Sequence, residues 1–234
     1  MTTPNLCMSA VASALALAFA LALPAPAHAA SVCHGRVAQG RIDGSVRLPL
    51  SGPNFTVYSR LAATAGRTHV HSEVAAIIDA AYAATARTMP DATFVYGETG
   101  WPSGGRLRPH RTHQNGLSVD FFVPVRDAAG RSVPLPTPAT QRFGYDLEFD
   151  AQARHGALQI DFPAAAEHLY QLDVAAKARG HGLALVIFDT AYLPRLFATP
   201  RGAYLREHLR FMTGKPWVRH DEHYHVDFAV PCET

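Results

Sequence analysis

Apolar positions along the chain recur with two different periods. In "HSEVAAIIDAAYAATARTM", Val74, Ile77, Ile78, Ala81 and Tyr82 return every three to four residues, which predicts a helix over 72–88 capped by Ser72. "PAAAEHLYQLDVAAKARG" predicts a second helix, with Pro163 in its first turn and a stop at Gly180. A further helical stretch is expected around 202–212. "ATFVYG" (92–97), "LSVDFFVPV" (117–125), "LALVIF" (183–188) and "HYHVDFAV" (223–230) are short and apolar or alternating, as strands are. Residues 34–70 are broken by Gly, Pro and Ser and are expected as loops with a short strand at most. Residues 126–160 are polar and turn-rich, an excursion with little regular core. Together the elements predict one α+β domain, a mostly antiparallel sheet with packed helices.

The strand at 117–125 carries an acid inside an apolar run. Successive strand side chains point to opposite faces, so Leu117, Val119, Phe121 and Val123 share one side, and Ser118 and Asp120 the other. In 223–230 the same rule groups His223, His225 and Asp227 against Tyr224, Val226, Phe228 and Val230. A buried carboxylate without a partner costs several kcal/mol, roughly. If the two strands are neighbours, Asp120, His225 and His113 can converge, with His113 on the far side of a turn at Asn115 and Gly116. Two imidazoles and a carboxylate are the ligands of a catalytic type of zinc site, on the polar face of the sheet, with one position left for water. An ion pair from Asp120 to Arg106, Arg108 or Arg111 is the plainer alternative. Asp189 and Asp227 have structural readings too, as a cap and as an ion-pair partner. In the loop "GWPSGGRL", Ser103, Gly104 and Gly105 would let a peptide backbone approach closely, or they belong to an ordinary surface loop.

The 234 residues carry a formal net charge of +2, too small to argue for nucleic acid as a partner. Thirteen histidines point instead to metal or proton chemistry. "VASALALAFALALPAPAHAA" is an apolar run ending in a small-x-small signature at Ala29, which predicts a cleaved signal peptide over 1–29 and a mature domain over 30–234. No integral membrane anchor is then expected after cleavage. With Cys7 removed, Cys33 and Cys232 remain, and an oxidising compartment favours a disulfide between them over two free thiols.

"PHRTHQNGLSVDFF" followed far downstream by "KPWVRHDEHYHVDFAVPC" resembles the penicillin-insensitive murein endopeptidases. These belong to a wider metallopeptidase group that includes lysostaphin-type enzymes and D-Ala-D-Ala peptidases and shares an H-x6-D plus H-x-H pattern. The likeness is dense over 104–123 and 185–232 and sparse over 126–160. It implies zinc held by His113, Asp120 and His225, with His110 beside them as a further ligand, a partner of one, or a substrate contact. It further implies His223 in proton transfer off the metal and His220 supporting it. The implied activity is a periplasmic endopeptidase that cuts peptidoglycan peptide cross-links with zinc-activated water. Without a serine nucleophile, such an enzyme would be indifferent to penicillin-type acylating inhibitors. The alternatives are a D,D-carboxypeptidase or D-Ala-D-Ala dipeptidase of the same group, with Glu222 as base, and a non-catalytic zinc-stabilised wall-binding protein. The oligomeric state has no signature in the sequence.

Overall fold

A computed structural model describes residues 30–214, 216 and 218–233. The expected signal segment 1–29 lies outside the described residues. In chain order come strands β1 (Val32–Arg36), β2 (Gln39–Asp43), β3 (Val46–Arg47) and β4 (Phe55–Val57), helix α1 (Arg60–Thr64), β5 (His69–Val70) and helix α2 (Ser72–Thr88). Next are β6 (Phe94–Tyr96), β7 (Ser118–Phe122), β8 (Val125–Arg126), β9 (Ser132–Val133), a 3-10 segment (Ala139–Gly144), β10 (Arg154–His155) and β11 (Leu158–Ile160). The chain closes with α3 (Phe162–Ala178), β12 (Leu183–Ile187), α4 (Leu193–Phe197), α5 (Gly202–His208) and β13 (His223–Phe228).

The central sheet has the order β12-β13-β7-β6-β4, antiparallel except for the β4–β6 pair. This is the α+β, mostly antiparallel architecture that the hydrophobic pattern predicts. Strand β7 lies between β13 and β6, and its register sets Asp120 opposite His225 and Phe122 opposite His223. Helices α2 and α3 pack on each other and cover the apolar side of the sheet. There Tyr82 meets Phe121 edge-on, and Phe121 stacks against Tyr224. Both sides of β7 and β13 are buried, so the polar side of these strands is not a wet surface. It faces the loop 97–116 and the segment around the 3-10 turn.

Four expectations need correction. Ser72 does not cap α2: it begins the helix, and His71 is the cap, its imidazole Nδ1 accepting from the Glu73 N–H at 3.1 Å. A ring nitrogen satisfies an orphan helix donor as an oxygen does. Residues 34–70 hold five short strands and α1, not loops with a single strand. Residues 126–160 form a second sheet, order β10-β11-β8-β9, and send Leu135, Leu147, Phe149 and Ile160 into the core. Strands of two or three residues are too short for alternation to be read. The helix expected over 202–212 is shorter, ending at His208.

Cys33 and Cys232 are joined by a disulfide. It pins β1 to the C-terminal tail, where the Glu233 N–H donates to the Cys33 carbonyl at 2.8 Å and the Gly35 N–H to the Glu233 carbonyl at 2.9 Å.

His168 is a fully buried polar residue in the α3–sheet core. Its Nδ1 hydrogen-bonds the Tyr224 hydroxyl at 2.7 Å, and its ring stacks on Tyr82. Burial pushes its pKa down to about 3. The unfolded chain then binds a proton on this residue below about pH 6.5 that the folded chain refuses. Stability is therefore lost as pH falls from 6.5 toward the folded value, by about 1.4 kcal/mol per pH unit for one such group. Urea unfolding between pH 7 and 4 should show this slope, and His168→Gln should make it shallower. An unchanged slope in the variant would contradict the assignment.

Candidate metal centre

Asp120 is fully buried in the middle of β7. The β7–β13 register brings His225 Nδ1 to 2.8 Å from Asp120 Oδ1. His113 arrives from the loop before β7 in a left-handed backbone conformation, φ +66°. Such a φ is uncommon for a residue with a side chain and tends to occur where function demands it. Gly116, at φ +77°, completes the turn, where a Cβ would stand 2.5 Å from Ile42 Cδ1 and 2.8 Å from the His71 nitrogen. This turn leaves His113 Nε2 3.2 Å from Asp120 Oδ1 and 3.1 Å from His225 Nδ1. Three donor atoms from three places in the chain thus form a triangle with sides of 2.8–3.2 Å. Ligands at zinc bond lengths in a tetrahedron stand about 3.3 Å apart. The set therefore suits a small divalent cation with little adjustment.

The remaining nitrogens support that fit. His113 donates its Nδ1–H to the Thr99 carbonyl at 3.1 Å, so its Nε2 lone pair faces the triangle. His225 donates its Nε2–H to Asp227 Oδ1 at 2.8 Å, so its Nδ1 faces the triangle. Asp227 is itself fixed by the Ser118 hydroxyl at 2.6 Å. Metal-ligating histidines are oriented in this way, each by an acceptor on the nitrogen away from the ion.

Charge points the same way. Burial alone would raise the Asp120 carboxyl, but His113, His223 and His110 outweigh it and hold it well below the usual carboxylate range. Burial disfavours charge on His225, yet Asp227 and Asp120 outweigh it and raise its pKa to about 10. Two carboxylates therefore favour positive charge at this spot, whether a proton or a metal ion supplies it. Metal binding should compete with that proton.

His110 joins the group from the other side. One nitrogen each from His110 and His113 and an oxygen of Asp120 lie within 4.8 Å of one another. His110 Nδ1 is 3.6 Å from Asp120 Oδ2, while Nε2–H donates to Glu98 Oε2 at 2.6 Å. Glu98 also accepts from Arg67 and, at 2.8 Å, from the Tyr58 hydroxyl. Burial would raise Glu98, but His110 and Arg67 more than reverse this and bring it to about 2.

The centre opens into a cleft of about 440 Å³ lined in part by His110, Tyr145, His220, Glu222, His223 and His225. His223 Nε2 stands 3.9 Å from Asp120 Oδ1, and its Nδ1 is 2.9 Å from Glu222 Oε1. Burial raises Glu222 to about 10 and lowers His223 to about 4, so the pair is neutral at pH 7. His220 packs beside His223 with ring centroids 4.7 Å apart and the rings tilted by 37°, and donates Nδ1–H to the Val218 carbonyl at 2.9 Å.

The residues singled out in the sequence thus fall into one cluster: His113, Asp120 and His225 at its heart, His110, His223 and His220 around it. Asp227 orients an imidazole. Asp189 instead caps a turn, accepting from the Ala191 N–H at 2.9 Å. The glycine loop before the histidines does not wall the cleft, whose described lining begins at Pro109. Gly104 serves a close approach to β2: a Cβ there would meet the Gln114 carbonyl oxygen and the Arg41 Cα. Sequence reasoning missed Thr99, Glu98 and Tyr145. Glu98 repeats the signal that exposed Asp120, an acid beside a buried strand, whereas Tyr145 carries none.

Loss of the Asp227 acceptor frees the His225 ring. Asp227→Asn should weaken metal affinity by about 10- to 100-fold. Competition with a chromogenic chelator measures this, and native affinity in the variant would contradict the orienting role.

The family model described as penicillin-insensitive murein endopeptidase matches residues 33–142, a span that contains His110, His113 and Asp120 but ends before His223 and His225. A curated protein of Escherichia coli O9:H4 (strain HS), named penicillin-insensitive murein endopeptidase, is 24% identical over 152 residues. That alignment covers 61% of this chain and 47% of the relative, so the chain spans about half the relative's length. On both comparisons, this chain is similar to the penicillin-insensitive murein endopeptidases.

Proposed function

We propose that this protein is an exported, zinc-dependent endopeptidase that hydrolyses the peptide cross-links of bacterial peptidoglycan in the periplasm. The observation that carries the reading is the triangle of His113 Nε2, Asp120 Oδ1 and His225 Nδ1 at the foot of a cleft, with His223 beside it. The name of the similar family supplies the substrate class. Export rests on the apolar run in residues 1–29 and on the Cys33–Cys232 disulfide, a bond typical of oxidising compartments.

His113, Asp120 and His225 are the proposed zinc ligands. When bound, the ion would polarise the scissile carbonyl and bring the pKa of a water molecule toward neutrality. The chain's own part is proton handling. In the neutral pair His223 donates Nδ1–H to Glu222 Oε1 and turns its Nε2 lone pair to the cleft, where it takes a proton from the attacking water. The resulting Nε2–H is a donor for the oxyanion of a tetrahedral intermediate. That same proton passes to the leaving amine as the C–N bond breaks, which returns His223 to its starting state. Glu222 therefore acts through His223, while His223 faces the reacting atoms. His220 packs against the His223 ring and supports its orientation.

Incubation of the purified protein with cross-linked sacculi, followed by muropeptide chromatography, tests the reading. Cross-linked dimers should fall to monomers, a chelator should stop this, and zinc should restore it. His223→Ala should lose turnover by 10²-fold or more, by order of magnitude, while still binding one zinc. Trimming of monomeric pentapeptides with dimers left intact would favour a carboxypeptidase. Binding to sacculi without any product would favour a wall-binding protein.

A further inference from the structure

Tyr145 plays no part in the proton handling above, yet it reaches the centre from a separate segment. The backbone leading to it is unusual. Arg142 and Phe143 both lie in the left-handed region, at φ +46° and +55°, and Gly144 follows at +102°. This turn aims the phenol inward. Two glycines make room for it. A Cβ on Gly97 would stand 2.5 Å from the Tyr145 hydroxyl oxygen, and one on Gly144 would stand 2.9 Å from Phe122 Cε1. The ring then packs edge-on against His223 and His110, with centroids at 5.2 and 5.6 Å.

The direction of the hydroxyl's bonds is fixed by its partners. The Glu98 N–H stands 2.8 Å from the Tyr145 oxygen, and an amide N–H can only donate. The hydroxyl proton is therefore directed to its other partner, Asp120 Oδ2, at 3.0 Å. The two oxygens of Asp120 are thus divided. Oδ1 faces His113 and His225, and Oδ2 is taken by Tyr145.

We infer that Tyr145 is a positioning residue of the metal centre, which holds Asp120 to ligation through Oδ1 alone. The inference rests on the metal reading given above. A carboxylate free to turn could bind through both oxygens and fill a position that a catalytic centre leaves to water. Tyr145 also ties loading of the centre to the segment 139–147, which makes no other contribution to the ligand triangle.

Zinc affinity by chelator competition, with the absorption spectrum of the cobalt-loaded protein, tests this. Tyr145→Phe keeps the ring and removes the hydroxyl proton. It should bind zinc about 10-fold more weakly. Its cobalt spectrum should lose intensity as the coordination number rises above four. Native affinity and a native spectrum in the variant would overturn the assignment. A native protein that takes up neither zinc nor cobalt would instead remove the metal reading, and this inference with it. A second measurement needs no destabilising change. With 3-fluorotyrosine at position 145, the fluorine resonance should move on zinc addition and reach its limit at one equivalent. A resonance indifferent to zinc would overturn the proposal even if Tyr145→Phe folded poorly.

Discussion

A carboxylate with no solvent exposure, set in the centre of the sheet, constrains everything built around it. Asp120 is charged where water cannot reach, and a lone ion in that position would cost several kcal/mol, roughly. The fold meets the charge by convergence. Strand pairing delivers His225, a left-handed turn delivers His113, and a second segment delivers Tyr145. None of these partners is a lysine or arginine. Cationic side chains would have neutralised Asp120 permanently, whereas imidazoles leave lone pairs that a metal ion can use. The same choice explains why Arg67 is paired with Glu98, one layer further out, and not with Asp120.

The surrounding hydrogen bonds follow one rule. Each imidazole at the heart of the centre gives its outward N–H to a fixed acceptor, Thr99 for His113 and Asp227 for His225. His110 gives its own to Glu98. The inward nitrogens are thereby fixed in place before any ligand arrives, and His225 holds there the proton that a metal ion would displace. Such preorganisation has a thermodynamic cost, since it gathers carboxylates and histidines into a small dry volume. The apolar packing of α2 and α3 against the opposite side of the same strands offsets it. The central strands thus serve two tasks at once, with Tyr224 and Phe121 in the core and His225 and Asp120 in the centre.

The legible parts of the sequence were those governed by local periodicity. Helix α2 ends where its apolar spacing ends, at Thr88, and α3 stops just before Gly180, whose φ of +76° suits a helix terminus. Alternation in "LSVDFFV" and "HYHVDF" sorted core side chains from polar ones, and the convergence of Asp120 with His225 required only that β7 and β13 be neighbours. The remainder depended on contacts between distant segments. Strands β8 to β11 are too short to alternate, so residues 126–160 read as loop although they form a sheet and supply core. Tyr145 sits within that stretch, and the slot it fills is defined by Gly97, almost fifty positions earlier. His71 took the cap expected of Ser72 because its ring nitrogen reaches the same orphan N–H.

The central claim is that His113, Asp120 and His225 hold one catalytic metal ion. Anomalous diffraction at the zinc edge, from crystals of the purified protein grown with zinc, addresses it directly. The account predicts one strong peak about 2.0–2.2 Å from His113 Nε2, Asp120 Oδ1 and His225 Nδ1 together. A peak elsewhere, with these three side chains still bonded only to one another, would contradict it.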